Sequence, residues 1–381
     1  MPPEADATAP VETESTGSER KLEAGMALCL SGGGYRAMVF HVGVLWRLYE
    51  AGLLKDIQRI SSVSGGSITA GVLALAWPKL SFDPARTTVD FLSEVVAPLR
   101  KMAETTIDSG SVIFGSLLPG TISDKITNHY RKVLFGDATL QDLPDEPRFV
   151  INATNVQSGA LWRFSKPYMR DWRVGEVKNP TVSLARAVAA SSAFPPVLSP
   201  CKLELDEDDF TPNSGVDLQR PPFTTDVVLS DGGVYDNLGL ETVYKRYETL
   251  LVSDAGGQMQ AEESPKEDWA QHSYRVLNVI DNQVRSLRKR LLIEAFRRGD
   301  RKGAYWGMRT DIADFGLDTT LPCPHERTML LANIATRLRR MSDGQMDRLI
   351  NWGYAVTDAA LRRHVDNDLP LGQFPYPDSG V

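Results

Sequence analysis

Three short stretches of this chain combine residue types that can do chemistry. "SSVSGGS", Ser61 to Ser67, sets a serine among small residues and resembles the nucleophile turn G-x-S-x-G, with Ser62 in the first glycine position and Gly66 in the second. The demand of that turn is steric. A strand passes sharply into a helix, so the positions two before and two after the nucleophile must be small, and Ser64 is left at the bend. The same residues also fit an ordinary Ser/Gly loop. "LSDGGVYDNLGLE", Leu229 to Glu241, ends an apolar run on Asp231 and two glycines. A carboxylate placed there can take a serine proton, although Asp-Gly is also common turn chemistry. "CLSGGGYRAM", Cys29 to Met38, sets three glycines between an apolar run and a helical pattern. Such a turn can cradle a phosphate or hold an oxyanion on its backbone N–H groups.

A serine hydroxyl needs a base within hydrogen-bond reach. The five histidines are His41, His129, His272, His325 and His364. None stands at the end of a late strand, where an α/β-hydrolase with a Ser-His-Asp triad would place one. Asp254 in "VSDAGG" is a second aspartate that ends an apolar run on glycines, and it rivals Asp231 as the base. A nucleotide-binding module is a weaker reading, because "GGGYRA" lacks both the Lys-Ser/Thr of a phosphate loop and the order G-x-G-x-x-G.

These residues need a scaffold. "MALCL" (Met26 to Leu30) predicts a buried strand, and the apolar spacing of Met38, Val42, Leu45 and Tyr49 predicts a helix from Tyr35 to Glu50. Asp56 to Ser64 predicts the next strand, and Gly66 to Trp77 a largely buried helix stopped by Pro78. Further strands are expected at Arg148 to Thr154, in "DVVLSDGG" and in "TLLVSDAGG", with a helix of small residues from Ser183 to Phe194. The stretch from Asp83 to Leu143 reads as mostly helical, and Glu204 to Phe223 as an acidic surface excursion broken by prolines. This alternation predicts an α/β fold with a mainly parallel sheet, whose ligands collect at the carboxyl ends of the strands.

At 381 residues the chain can bury a sizeable core, and its 42% hydrophobic and 24% charged residues are those of a globular protein. A net charge of −7 argues against a nucleic-acid partner. The three cysteines have no metal-ligand spacing and suggest reduced thiols. The first 23 residues lack an apolar core and are rich in Pro, Glu, Thr and Ser, so a disordered tail is expected there rather than a signal peptide. No apolar stretch approaches the roughly 20 residues that span a bilayer. The expectation is a cytoplasmic protein that meets lipid, if at all, peripherally. Asp281 to Lys302 carries eight Lys or Arg against three acids, with Val284, Leu287, Leu291 and Ala295 on one helical face. That pattern fits an interfacial helix and equally an ordinary surface helix with a solvated basic side.

Taken together, "SGGGYRAMVFHVGVLWRL", "SSVSGGS", "ARAVAASSAFPPVLSP" and "SDGGVYDNLGLE", in this order, resemble the patatin-like phospholipase family. The Ser-Gly-Gly-Gly-Tyr-Arg form is also similar to the related cytosolic phospholipase A2 and fungal phospholipase B group. The resemblance covers roughly Met26 to Gly257. It implies a three-layer α/β/α fold with a helical C-terminal region. The division expected from it is a tail over 1–23, a catalytic domain over 24–260, and a mainly helical extension over 261–381 packed on the same domain. The implied activity is ester hydrolysis of phospholipids or related acyl lipids, of phospholipase A or lysophospholipase type, through an acyl-enzyme and without metal or other cofactor. Ser64 and Asp231 would form a Ser-Asp dyad, and Gly32, Gly33 and Gly34, with Gly65, the oxyanion hole. Arg36 would polarise that loop, meet a lipid phosphate, or form a structural salt bridge. The implied partner is a lipid or membrane surface. Ser62 departs from the family's glycine, and a catalytically inactive interaction module on this fold is the other alternative.

Overall fold

The computed structural model describes residues 22–82, 87–107 and 121–381. The tail expected over 1–23 lies outside them apart from its last two residues, and Glu23 already begins a strand. The segments 83–86 and 108–120 of the expected helical stretch also lie outside; its described parts form short helices such as Ala97–Ala103 and Ile122–Tyr130.

Among the described residues, ten strands form one sheet. Five run parallel at its centre, in the order β10 (Lys302–Gly307), β9 (Tyr247–Asp254), β1 (Glu23–Leu30), β2 (Ile57–Val63), β3 (Arg148–Asn155). An antiparallel meander of β4 (Ala160–Phe164), β5 (Tyr168–Asp171) and β6 (Gly175–Lys178) continues the sheet outward. β8 (Asp226–Asp231) pairs antiparallel with β3, and β7 (Cys201–Glu204) with β8. The residues beyond 260 therefore supply one edge of the parallel core, β10, as well as helices.

Period-two alternation sends the apolar residues of each central strand to both faces. Leu28 and Leu30 of β1 join the large core, which is closed by α1 (Gly34–Glu50), α2 (Gly65–Ala76), α3 (Leu184–Ser191) and α5 (Asp343–His364). Ala27 and Cys29 face the opposite side, under the segment Leu238 to Tyr247 and Leu292 of α4 (Trp269–Arg298). Helices thus cover both faces, which is the three-layer α/β/α arrangement.

α1 is buried along all but its last residue. A Cβ added at Gly43 of α1 would lie 1.9 Å from the Ile350 carbonyl oxygen of α5, and one at Gly353 of α5 would lie 2.1 Å from that of Phe40. The two helices cross backbone to backbone. Arg47 Nε donates to Asp358 Oδ1 at 2.8 Å across the same contact, with both side chains buried. This clamp holds the helix that leads out of the glycine turn. Among the described residues, no helix is long and apolar enough to cross a membrane.

Candidate functional site

Ser64 stands between β2 and α2 with φ 51° and ψ −119°, a left-handed setting for a side-chain-bearing residue. Holding it costs about 1–3 kcal/mol, so the surroundings must enforce it. They do so with hydrogen bonds. The Ser64 N–H donates to Ser191 Oγ at 3.0 Å, and Ser191 Oγ donates to the Asn152 carbonyl at 2.6 Å. Ser67 Oγ lies 2.9 Å from Ser191 Oγ and donates to Ser62 Oγ at 3.0 Å. Ser62 thereby joins a serine network under the turn, an interaction a glycine there could not make. Its small side chain is tolerated for the steric reason that the motif requires.

The topology of β3 brings the aspartate to the serine. β3 pairs with β2 through Arg148 to Asn152 and with β8 through Ala153 to Asn155. Val63 faces Asn152, and Asp231 faces the next residue, Ala153. β8 thus takes up the edge of β3 where β2 leaves it, and the ends of the two strands meet. Asp231 is 2% exposed and Ser64 7%. Asp231 Oδ1 accepts the Gly233 N–H at 2.7 Å, while its buried Oδ2 has no hydrogen-bond partner among the described residues. Burial pushes the carboxyl up to about 7, against the Gly233 N–H and the neighbouring Ser64 hydroxyl, both of which favour its charged form. The serine hydroxyl is near enough to be felt by the carboxylate without completing a hydrogen bond to Oδ2. Such contacts commonly tighten only around a substrate.

The glycine turn between β1 and α1 closes the other side. A Cβ at Gly32 would lie 3.1 Å from Ser64 Cβ and 2.5 Å from Asn237 Oδ1. One at Gly65 would lie 2.1 Å from the Gly34 carbonyl oxygen. The two turns are in backbone contact beside the serine, which no side chain at either place would allow. The Gly32 N–H is already committed, donating to the Asn237 carbonyl at 3.1 Å. That amide is thus engaged with Asn237, and the absence of a side chain at Gly32 lets the backbone come close to Ser64. The N–H groups of Gly33, Gly34 and Gly65 make no hydrogen bond among the described residues.

Arg36 is 3% exposed and turned away from solvent. Its Nη1 donates to the carbonyls of Ala332, at 3.1 Å, and Ile334; its Nη2 donates to Ala255 O and Thr336 Oγ1, each at 3.1 Å. These bonds anchor the 332–336 segment behind the glycine turn. They join the guanidinium to three carbonyls and a hydroxyl, and among the described residues no acid forms a salt bridge with it.

Asp254 has a different environment from Asp231. Its Oδ2 accepts from the Tyr305 hydroxyl at 2.7 Å and lies 3.3 Å from Lys289 Nζ, and its Oδ1 accepts the Gly256 N–H at 2.9 Å. Burial raises its pKa, yet Lys289 and these hydrogen bonds outweigh burial and hold it below the usual value. A carboxylate so stabilised is a poor proton acceptor. None of the five histidines hydrogen-bonds to Ser64 or Asp231 among the described residues. His41 bonds the Ser31 carbonyl and Ser253 Oγ, and burial pushes its pKa down to about 4. His129 bonds Thr105, His272 the Lys266 carbonyl; His325 lies 3.9 Å from Asp311, and His364 packs on Phe315.

The sequence offered no role for Ser191, Asn152 or Asn237. Asn237 fills the space between Gly32, Gly233 and Gly256, and its position inside "DNLGLE" was the available signal. Of the eight cations of Asp281 to Lys302, Arg285, Arg288, Lys289 and Arg301 are half-buried and the other four exposed. Arg288 pairs with Asp236 and Glu241, Lys289 with Asp254, Arg298 with Glu294 and Lys302 with Glu248. What α4 leaves exposed includes an apolar side with Leu277, Ile280, Val284, Leu287 and Leu291, whereas Ala295 is buried.

A sequence profile of the patatin-like phospholipases matches residues 28–244. The chain belongs to the patatin-like phospholipase family. The mainly parallel sheet and its helical layers are those of the patatin fold. Among solved structures, human GIVD cytosolic phospholipase A2 matches with a TM-score of 0.48 and 12% identity, over 90% of this chain and 62% of its own. VipD from Legionella pneumophila matches with a TM-score of 0.38 and 16% identity, over 90% of this chain and 67% of its own. This patatin-like chain therefore spans less than two thirds of the human enzyme's chain. No curated protein matches the sequence.

Proposed function

We propose that this protein is a serine acyl hydrolase that cleaves the ester bonds of phospholipids or related acyl lipids through a Ser64–Asp231 dyad. One observation carries the reading: a buried carboxylate with an unpartnered oxygen and a pKa near 7 adjoins a serine held in a strained strand-to-helix turn. A base is most useful when its pKa lies near the working pH. Family membership favours an acyl lipid as the substrate.

Ser64 Oγ attacks the ester carbonyl carbon while Asp231 Oδ2 takes its proton. The negative charge on the former carbonyl oxygen is met by the N–H groups of Gly33, Gly34 and Gly65, the last at the amino end of α2. One such donor is worth about 3 kcal/mol of barrier. As the tetrahedral intermediate collapses, Asp231 returns the proton to the departing alcohol. Water then attacks the acyl-serine with Asp231 again the base, which releases the fatty acid and restores Ser64. Asp281 of α4 is within electrostatic reach of Asp231, and the same helix exposes an apolar side that an aggregated lipid can meet.

Fluorophosphonate labelling tests the reading. The wild type is expected to be modified at Ser64 and to lose hydrolysis of a short-chain ester in parallel, and Ser64→Ala to do neither. Labelling and turnover that survive in Ser64→Ala would end the proposal.

A further inference from the structure

A cavity of about 240 Å³ opens at the carboxyl ends of β9 and β10, lined by Asp254, Gly257, Arg285, Lys289, Tyr305 and Arg309 among others. This is the end of the sheet where α/β folds gather ligands. The charges around it do not balance. Lys289 pairs with Asp254 at 3.3 Å, and Arg285 with Asp281 at 3.0 Å. Arg309 forms no ion pair among the described residues: Nη2 donates to Asn333 Oδ1 at 2.9 Å, and Nη1 lies 3.9 Å from Met329 Sδ. Arg36 stands directly behind Gly257, where its Nη2 would be 3.4 Å from an added Cβ, and its partners are all neutral. Three cations, Arg285, Lys289 and Arg309, therefore line the cavity with one acid, Asp254, while Arg36 and Asp281 stand behind its wall. Burial, with Arg309 and Arg285 adding to it, pushes Arg36 down to about 10 although Asp254 favours its charge, and burial likewise lowers Arg309 against Asp254. Guanidinium groups left without an anion in a partly dehydrated space are costly, and a bound anion removes that cost.

The cavity lies close to the nucleophile. Asn237 Nδ2 would be 2.9 Å from a Cβ at Gly256, on the cavity wall, and Asn237 Oδ1 would be 2.5 Å from one at Gly32, which in turn adjoins Ser64. One side chain separates the cavity from the ester site. Cations from two directions, α4 and the end of β10, suit the several oxygens of a tetrahedral anion better than a single carboxylate.

We propose that this cavity binds a phosphate group, with Arg309 and Lys289 as its main cationic partners and Arg285 behind them. Its source is a phospholipid head group or free phosphate. The head-group form rests on the reading of Ser64 as nucleophile; the phosphate site itself does not.

The full chain is titrated calorimetrically with sodium phosphate and with glycerol phosphate, using acetate at matched ionic strength as the control. Saturable binding of either phosphate, but not of acetate, is expected in the wild type. R309Q should weaken it about tenfold or more, the loss of one charge-assisted contact, and R309K should retain most of it. If R309Q melts several degrees early, K289Q carries the same comparison. Absent or acetate-like binding in the wild type, or unchanged binding in the folded glutamine variant, overturns the site. Kinetics then separate the sources. A fall in the ratio of kcat/KM for an acyl glycerol phosphate over the acyl glycerol without phosphate identifies a head-group site. An unchanged ratio with lost phosphate binding identifies free phosphate. Failure of the wild type to cleave either lipid would count against the acyl-hydrolase reading and leave the binding result to judge the cavity.

Discussion

Asp231→Asn removes a buried charge and keeps its shape. The oxygen that accepts the Gly233 N–H remains, and Oδ2 has no donor to lose. Burial has moved this carboxyl from an ordinary 3.8 to about 7, so the folded protein holds the proton more tightly than the unfolded chain does. The stability this group contributes is complete below about pH 4 and is lost as pH rises through about 7. Each pH unit is worth about 1.4 kcal/mol, so the loss reaches about 4 kcal/mol on the alkaline side. Asp231→Asn escapes it. The variant is expected to match the wild type near pH 4 and to exceed it by about 4 kcal/mol near pH 8, or about 5 °C in Tm for a chain of this length. Its ester turnover falls meanwhile by about a hundredfold to ten-thousandfold, the usual contribution of a general base. Urea unfolding of both proteins at the two pH values measures the stability, and kcat/KM of the wild type should rise with pH to a plateau above about 7. A stability difference that is the same at both pH values, or a variant less stable near pH 8, would refute the reasoning.

Asp254→Asn should spare most of the turnover that Asp231→Asn abolishes, while lowering Tm because Lys289 loses its acid; ester hydrolysis and thermal melts of the pair decide this. Gly65→Ala places a methyl group 2.1 Å from the Gly34 carbonyl oxygen, so the two turns must part. Its kcat is expected to drop about a hundredfold or more, the worth of an oxyanion donor, with a smaller change in KM. The double change Leu287→Asp with Leu291→Asp should reduce co-sedimentation with phospholipid vesicles and leave hydrolysis of a water-soluble ester in place. Equal sedimentation would remove α4 from the membrane contact.

The serine turn was legible because its requirement is local: Ser62, Ser64 and Gly66 meet a steric rule written within seven residues. The glycine turn before α1 was legible as a strand-to-helix turn for the same reason. The pattern favoured Asp231, whose Asp-Gly-Gly is uninterrupted and followed by Asn237, over Asp254 in "VSDAGG", but each ends a strand on glycines and the pattern could not show what surrounds either carboxylate. Their environments differ through distant groups. Lys289 and Tyr305 stabilise the charge on Asp254, whereas Asp231 has only a backbone N–H and a serine nearby. The basic count of Asp281 to Lys302 was likewise correct as a count and uninformative about direction, because its partners Asp236, Glu241 and Asp254 precede it by dozens of residues.

The amino-acid sequence by itself determined the alternating strands and helices, the family and the sharp turn at Ser64, all of which rest on local periodicity and side-chain size. Only the tertiary structure decided which groups face that turn. β3 divides its edge between β2 and β8, and this division sets Asp231 beside Ser64 across 167 positions of chain. The Asn237 carbonyl accepts the Gly32 amide, and the 332–336 segment occupies Arg36. Hydrogen bonds and desolvation depend on neighbours in space, and those neighbours are fixed only when the sheet is assembled.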